Sequence, residues 1–228
     1  MSTAVLRTGI VLLSAMFMLM SMATFAAAAS ATSSLSEVIA DCVLCHGTDG
    51  RGNEAVAAPR IAGMEDWYLQ RQLEAFRLGW RGVHAADDEG REMQPMAAVL
   101  REEDIAAVAA WFANQVTPDP LPTLNGAADR GQRHYTLVCA QCHGARGQGN
   151  RSLAAPALAG QNDWYLVRQL HLYRHQIRGH VPEDSHGMQM MAMIGTLVDD
   201  QAVLDVVAFI NTFTHPAPNA VMNDVADR

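Results

Sequence analysis

Two short segments of the 228-residue chain hold all four of its cysteines: Cys42-Val-Leu-Cys45-His46-Gly47 and Cys139-Ala-Gln-Cys142-His143-Gly144. Cys-x-x-Cys-His is the pattern in which two thiols add to the vinyl groups of a haem and the adjacent histidine ligates the iron. One turn of helix puts both sulfurs on the same side and swings the histidine toward the metal. A thioredoxin-like redox pair needs a βαβ setting, and a zinc site would draw the four cysteines together. Here the two pairs lie 97 residues apart, and each has its own histidine. The chemistry to expect is two covalently bound c-type haems, held by Cys42 and Cys45 and by Cys139 and Cys142. His46 and His143 are the expected iron ligands.

The sixth ligand decides between carrier and enzyme. Met93 follows His46 by 47 residues, and Met190 follows His143 by 47. Met96 and Met193 repeat equally well, so the arithmetic leaves two candidates in each half. Met64, Met188 and Met191 have no counterpart and read as packing residues, since methionine fills irregular gaps. A His/Met pair raises the haem potential and leaves no open position for a substrate, which suits outer-sphere electron transfer. Pro59 and Pro156 each fall 13 residues after a haem histidine. A carbonyl there is placed to accept the Nδ1 proton and fix the ring.

These residues belong to an internal repeat. Shifted by 97 positions, Cys42–Leu100 aligns with Cys139–Leu197 without a gap, and about 27 of about 59 positions are identical. Asp66-Trp-Tyr-Leu69 lies over Asp163-Trp-Tyr-Leu166, Arg71-Gln-Leu73 over Arg168-Gln-Leu170, and Arg81-Gly82 over Arg178-Gly179. Two units of this length are small domains rather than a solenoid. We place them at 30–116 and 127–214. Residues 117–126, with three prolines and a glycine, form an extended linker, and 215–228 a frayed tail.

Each copy reads as helical, with no strand pattern of useful length. A helix leads into each motif, over Leu35–Cys45 and Ala127–Cys142. A loop follows, and then an amphipathic helix with Asp66 or Asp163 at its N-cap. A second loop carries the methionines. Last come helices from about Arg101 to Asn114 and from about Asp199 to Thr212, the first with Ile105, Val108 and Phe112 on one face.

Half the residues are apolar and 18% are charged, the balance of a chain that buries a core. The net charge is −8, which argues against a nucleic-acid partner, because phosphate binding wants clustered positive charge. All 16 basic residues are arginine. At the N-terminus, Arg7, the apolar run Ile10–Phe25 and four alanines (26–29) are the n-region, h-region and cleavage site of an export signal at 1–29. The mature protein is then periplasmic. A retained leader, just long enough to span a bilayer, would tie it to the membrane instead.

Taken together, the motifs resemble the dihaem cytochrome c4 family from about Leu35 to Phe213. The resemblance rests on CxxCHG with a following G-x-G-N (Gly50–Asn53, Gly147–Asn150) and on Pro-x-[Ile/Leu]-Ala-Gly. It continues with Trp-Tyr-Leu-x-x-Gln-Leu and a methionine seven residues before the leucine that precedes the last helix. It implies an all-α fold of two tandem class I cytochrome c domains about a pseudo-twofold axis. It also implies haems near the domain interface, with propionates facing inward. The minus-seven position picks Met93 and Met190 over Met96 and Met193. The implied function is electron shuttling from a quinol-oxidising complex or dehydrogenase to a terminal acceptor, notably a cbb3-type oxidase. The alternative is a dihaem subunit of a periplasmic oxidoreductase, such as a flavocytochrome c sulfide dehydrogenase. A dihaem peroxidase or thiosulfate dehydrogenase would need an open haem, and matching methionines argue against one.

Two departures from the family pattern bear on packing. Gly131 and Tyr135 of the second pre-haem helix align with Ser34 and Val38 of the first, which predicts a looser first domain at that contact. The second terminal helix carries one extra residue. Apart from the haem sites, His171 and His175 sit at i, i+4 on a helix but have no third ligand in view, so they read as surface or packing residues.

Overall fold

Ser34 opens the first helix, α1 (Leu35–His46), with a reciprocal capping box: its hydroxyl accepts from the Glu37 amide and the Glu37 carboxylate accepts from its own amide. The helix stops just beyond the haem histidine, at Gly47, whose φ of 83° suits glycine. The computed structural model describes residues 34–215. The proposed signal at 1–29 and the tail beyond His215 lie outside these residues. Among the described residues the elements are helical, with two isolated bridges, Asn53 with Ala58 and Asn150 with Ala155. No described helix is long and apolar enough to cross a membrane.

The first copy continues with α2 (Asp66–Arg77), α3 (Asp88–Ala98) and α4 (Glu102–Ala113). The second has α5 (Ala128–His134), a π-helical turn (Tyr135–Cys139), α6 (Ala140–His143), α7 (Asp163–Arg174), α8 (Ser185–Ile194) and α9 (Asp200–Ile210). Each copy has its own apolar core. Val38, Met64, Leu69, Val108 and Phe112 build the first; Tyr135, Leu166, Ile194, Val203, Val207 and Ile210 build the second.

Four expectations need correction. Asp66 and Asp163 are not N-caps but the first helical residues. The cap positions are Glu65 and Asn162, and neither side chain caps its helix. The methionines sit on helices α3 and α8 rather than in loops. Asp87 and Asp184 cap these helices, each accepting from the amide of a glycine three residues on. The second pre-haem segment is not one continuous α-helix, because the π turn interrupts it before the cysteines. Finally, the extra residue lies ahead of the last helix. Buried Ile105, Val108, Ala109 and Phe112 correspond to Val203, Val206, Val207 and Ile210, a shift of 98 rather than 97, and α9 itself is one residue shorter than α4.

The pre-haem and terminal helices cross differently in the two copies. At Gly131 the backbone of α5 approaches that of α9 so closely that a Cβ would overlap the Asp205 carbonyl and lie 2.7 Å from the Val206 nitrogen. Tyr135, fully buried, packs on Phe209 and Phe213 and donates its hydroxyl to the Gly144 carbonyl at 2.7 Å. Val38, at the matching place, is buried but has no such donor.

Asp205 ties this crossing together. It accepts from the Ala127 amide at 2.8 Å, Arg130 Nε at 2.7 Å and Gln201 Nε2 at 2.8 Å. The Arg130 hydrogen bond, above all, holds its carboxyl down at about 2. The folded value lies below the ordinary carboxylate value, so this contribution to stability is full above about pH 4 and is lost as pH falls through about 2. Asp205→Asn is expected to lower the stability of the C-terminal copy at neutral pH and to flatten its acid sensitivity in that window; thermal melts at pH 2, 3 and 5 check this.

The linker has no helix, but it is pinned. Arg60, buried at 3% exposure, donates to the Thr117 carbonyl at 3.1 Å and to the Pro118 carbonyl at 2.6 Å. Asp163 accepts from the amides of Thr123 and Leu124 at 2.6 and 2.8 Å. A segment held this way is a strap rather than a loose tether.

Candidate functional site

Both histidines are buried at the ends of their helices, and none of the four cysteines is engaged in a disulfide. His46 Nδ1 is 2.8 Å from the Pro59 carbonyl and His143 Nδ1 is 2.8 Å from the Pro156 carbonyl. A carbonyl can only accept, so each Nδ1 carries the proton and each Nε2 keeps its lone pair. Burial pushes both imidazoles below the ordinary histidine range, and the proline carbonyl offsets part of that. The product is a neutral, oriented imidazole with Nε2 available to a metal. Burial also pushes the Cys42 and Cys139 thiols up to about 11.

In the C-terminal copy these groups meet on one cavity. Cys139, Cys142, His143, Pro156, Met190 and Met193 all line it, and Tyr68, Arg71 and Gln72 reach it from the N-terminal copy. Met93 and Met190 are half-buried on α3 and α8, while Met96 and Met193 are each 45% exposed. His171 on α7 and His175 at its C-cap stack at 6.2 Å, and no group of three or more His, Cys, Asp or Glu is arranged to hold a metal ion among the described residues.

Sequence reasoning noted Gln72, Gln169, Arg81 and Arg178 as repeated identities but gave them no role. The structure joins them. Arg81 donates to Gln72 in its own copy at 2.7 Å and to Gln169 in the other at 3.0 Å. Arg178 donates to Gln169 at 2.6 Å and to Gln72 at 2.8 Å. Contacts that pair this way are what a twofold relation produces. The signal available in the sequence was the recurrence itself: a glutamine on an amphipathic helix, and an arginine nine residues on, in both copies.

The square is cationic and buried. Arg81 and Arg178 are each 6% exposed, neither has a carboxylate within ion-pair distance among the described residues, and the Nε of each is buried without a partner. Burial opposes ionisation of the nearby Tyr165 hydroxyl, yet Arg81, Arg178 and Arg168 outweigh it and pull that hydroxyl down. Two buried guanidinium groups with donors to spare call for an anionic group from outside the chain. A haem supplies one in its propionates. The thiols, the oriented imidazoles and the cationic square all fit that cofactor.

A second reciprocal contact lies behind the histidines. Asn162 Oδ1 accepts from the Arg60 amide at 2.7 Å, and Glu65 Oε1 accepts from the Ala157 amide at 3.0 Å. These amides belong to the residues that follow Pro59 and Pro156.

Comparison with known proteins agrees with this geometry. The Cytochrome c family matches residues 36–115 and 128–214. The thiosulfate dehydrogenase electron acceptor of Stutzerimonas stutzeri (strain A1501) is 34% identical over 162 residues, covering 67% of this chain and 71% of that protein. The FixP subunit of a Cbb3-type cytochrome c oxidase from Sinorhizobium medicae (strain WSM419) is 29% identical over 160 residues, covering 66% of this chain and 53% of that protein. The solved structure of Acidithiobacillus ferrooxidans cytochrome c4 superposes with a TM-score of 0.62 at 29% identity, covering 76% of this chain and 99% of that one. Two matched domains, each with its own CxxCH and oriented histidine, establish that this chain belongs to the cytochrome c family as a dihaem electron-transfer protein that binds haem c covalently at Cys42 and Cys45 and at Cys139 and Cys142.

Proposed function

We propose that the chain is a periplasmic electron shuttle. It accepts electrons from a quinol-oxidising complex or a dehydrogenase and passes them to a terminal acceptor such as a cbb3-type oxidase. His46 with Met93 and His143 with Met190 hold the irons, and Pro59 and Pro156 orient the histidines. Residues 30–116 and 127–214 are the two domains, exported by the signal at 1–29. Each bound haem supplies a one-electron couple. The chain's part is to keep the imidazoles oriented, to keep water from the buried histidines and to hold the two sites at a fixed relation across the Arg–Gln square.

The observation that carries this reading is the equivalence of the two sites: the same histidine, proline carbonyl and methionine position occur in both copies. Two closed irons suit a carrier, whereas an enzyme of this class needs one open. The net charge of −8 favours partners with basic docking patches and weak, salt-sensitive complexes. Relatives named as an electron acceptor of thiosulfate dehydrogenase and as an oxidase subunit support redox proteins as partners. The former also favours the second reading, a dedicated partner of one dehydrogenase; recovery of a stable complex on purification from the native host would separate it from a free carrier.

The test is the haem content per chain, together with the spectrum of the reduced protein before and after carbon monoxide. Two haems and no response to the gas are expected. A carbon monoxide adduct in native protein would mean an open iron and would remove Met93 or Met190 from the ligand set.

A further inference from the structure

The two copies differ where each reaches behind the other's haem histidine. Position 65 in the first copy corresponds to 162 in the second, and both precede their helix without capping it. Both instead accept from a backbone amide across the domain interface: Asn162 from Arg60, and Glu65 from Ala157. The G-x-G turns make room for this reach. A Cβ on Gly52 would lie 2.9 Å from Asn162 Oδ1, and one on Gly149 would lie 2.6 Å from Glu65 Oε1.

Each accepted amide is one half of the peptide unit whose carbonyl receives the histidine proton. The Ala157 N–H and the Pro156 C=O share one peptide plane, so a hydrogen bond accepted from the former raises negative charge on the latter. An anionic acceptor polarises that peptide more than a neutral amide does. The Pro156 carbonyl then holds the His143 Nδ1 proton more strongly and makes the imidazole a more electron-rich ligand, which favours the oxidised iron. The N-terminal copy has the opposite arrangement. Its acceptor is the neutral Asn162, and the residue behind Pro59 is the buried Arg60, ion-paired with Asp119 at 3.7 Å, in place of the uncharged Ala157. Glu65 Oε2 is buried without a partner, and burial pushes this carboxyl above the ordinary glutamate range while hydrogen bonds from backbone amides, that of Ala157 included, offset part of the rise. The anion is therefore the form to test on the alkaline side of neutrality.

We propose that Glu65 of the N-terminal domain is a positioning residue for the C-terminal haem. Through Ala157 and Pro156 it lowers that haem's reduction potential relative to the N-terminal one. This deepens the electron-carrier reading and rests on His46 and His143 as the iron ligands.

The experiment uses the full dihaem protein at pH 8, with spectroelectrochemical titration of the parent, Glu65→Gln and Asn162→Asp. Glu65→Gln keeps the shape and an acceptor but removes the charge. It is expected to shift the C-terminal haem toward the reduced form by about three- to tenfold at a fixed applied potential, tenfold being about 59 mV for a one-electron couple. The N-terminal haem stays within about twofold, since it has no hydrogen-bonded link to Glu65. Asn162→Asp is expected to move the N-terminal haem by a similar factor toward the oxidised form. The Nδ1 proton resonance of His143 in the reduced, diamagnetic protein, assigned through its contact with Pro156, should move in Glu65→Gln while that of His46 does not. A merely structural role would leave these resonances and potentials in place. An unchanged C-terminal haem potential in Glu65→Gln, or equal shifts of both haems in either variant, would overturn the proposal. Two haems per chain and no carbon monoxide adduct in the variants would leave the electron-carrier reading standing in that event.

Discussion

Gly131→Ala is expected to destabilise the C-terminal domain by about 2 kcal/mol net and Gly131→Val by more, although either change makes the segment a better helix former. Alanine over glycine in a helix gains about 1 kcal/mol. Against this stands the crossing of α5 and α9, where the added carbon meets the backbone of Asp205 and Val206. Backbone cannot swing aside as a long side chain can, so the helices must separate, and overpacking of this kind costs about 1–3 kcal/mol or more. Separation also loosens Tyr135 from Phe209 and Phe213 and puts its hydrogen bond to Gly144, next to the haem histidine, at risk. Hydrogen exchange of the α5 and α9 amides, alongside a thermal melt, will localise the loss to the second copy. Ser34→Gly, at the aligned position, should cost only a few tenths of a kcal/mol, because that residue caps a helix rather than fitting a crossing.

The other large effect is expected at the Arg–Gln square. Arg178→Met removes the donors to Gln169 and Gln72 and the guanidinium packed 4.6 Å from the centre of the Tyr173 ring. Hydrogen bonds to a charged group contribute about 1.5–3 kcal/mol each, so the loss should reach about 3 kcal/mol. The two domains should then melt as separate transitions. Arg81→Met should act alike, and the double variant should cost less than the two single changes combined, because both arginines share the same glutamine acceptors. Strict additivity in that double-mutant cycle would mean that the four side chains do not act as a unit.

The haem motifs were legible because covalent chemistry dictates residue type and spacing at once. The interval from histidine to proline was legible for a similar reason: a loop that passes the proximal face has a fixed length to cover. Helix positions followed from periodicity. The methionine segments are helices that the sequence does not announce: Gly90 and Pro95 in α3, and Gly187 in α8, are poor helix formers. What wins there is capping by Asp87 and Asp184, each folded over a glycine amide. Asp66 and Asp163 sit one residue inside their helices, a boundary that local pattern leaves open by a residue or two. That Glu65 and Asn162 leave these helices uncapped follows from their contacts with the other domain, which local pattern cannot display. The Arg–Gln square was hidden for the same reason. Its residues recur in both copies, but that each bonds across to the other copy becomes visible only when the halves face each other.

Such reciprocal contacts are what two identical subunits would make on meeting about a twofold axis. In a homodimer every substitution appears on both sides, so a carboxylate at position 65 would face both histidine loops and tune both sites alike. Joining the halves in one chain lifts that constraint. Position 65 can become glutamate while its counterpart stays asparagine, and the residue after one proline can become arginine while the other stays alanine. Covalent fusion thus turns a symmetric pair of equal sites into an ordered pair, giving direction to a molecule whose architecture has none.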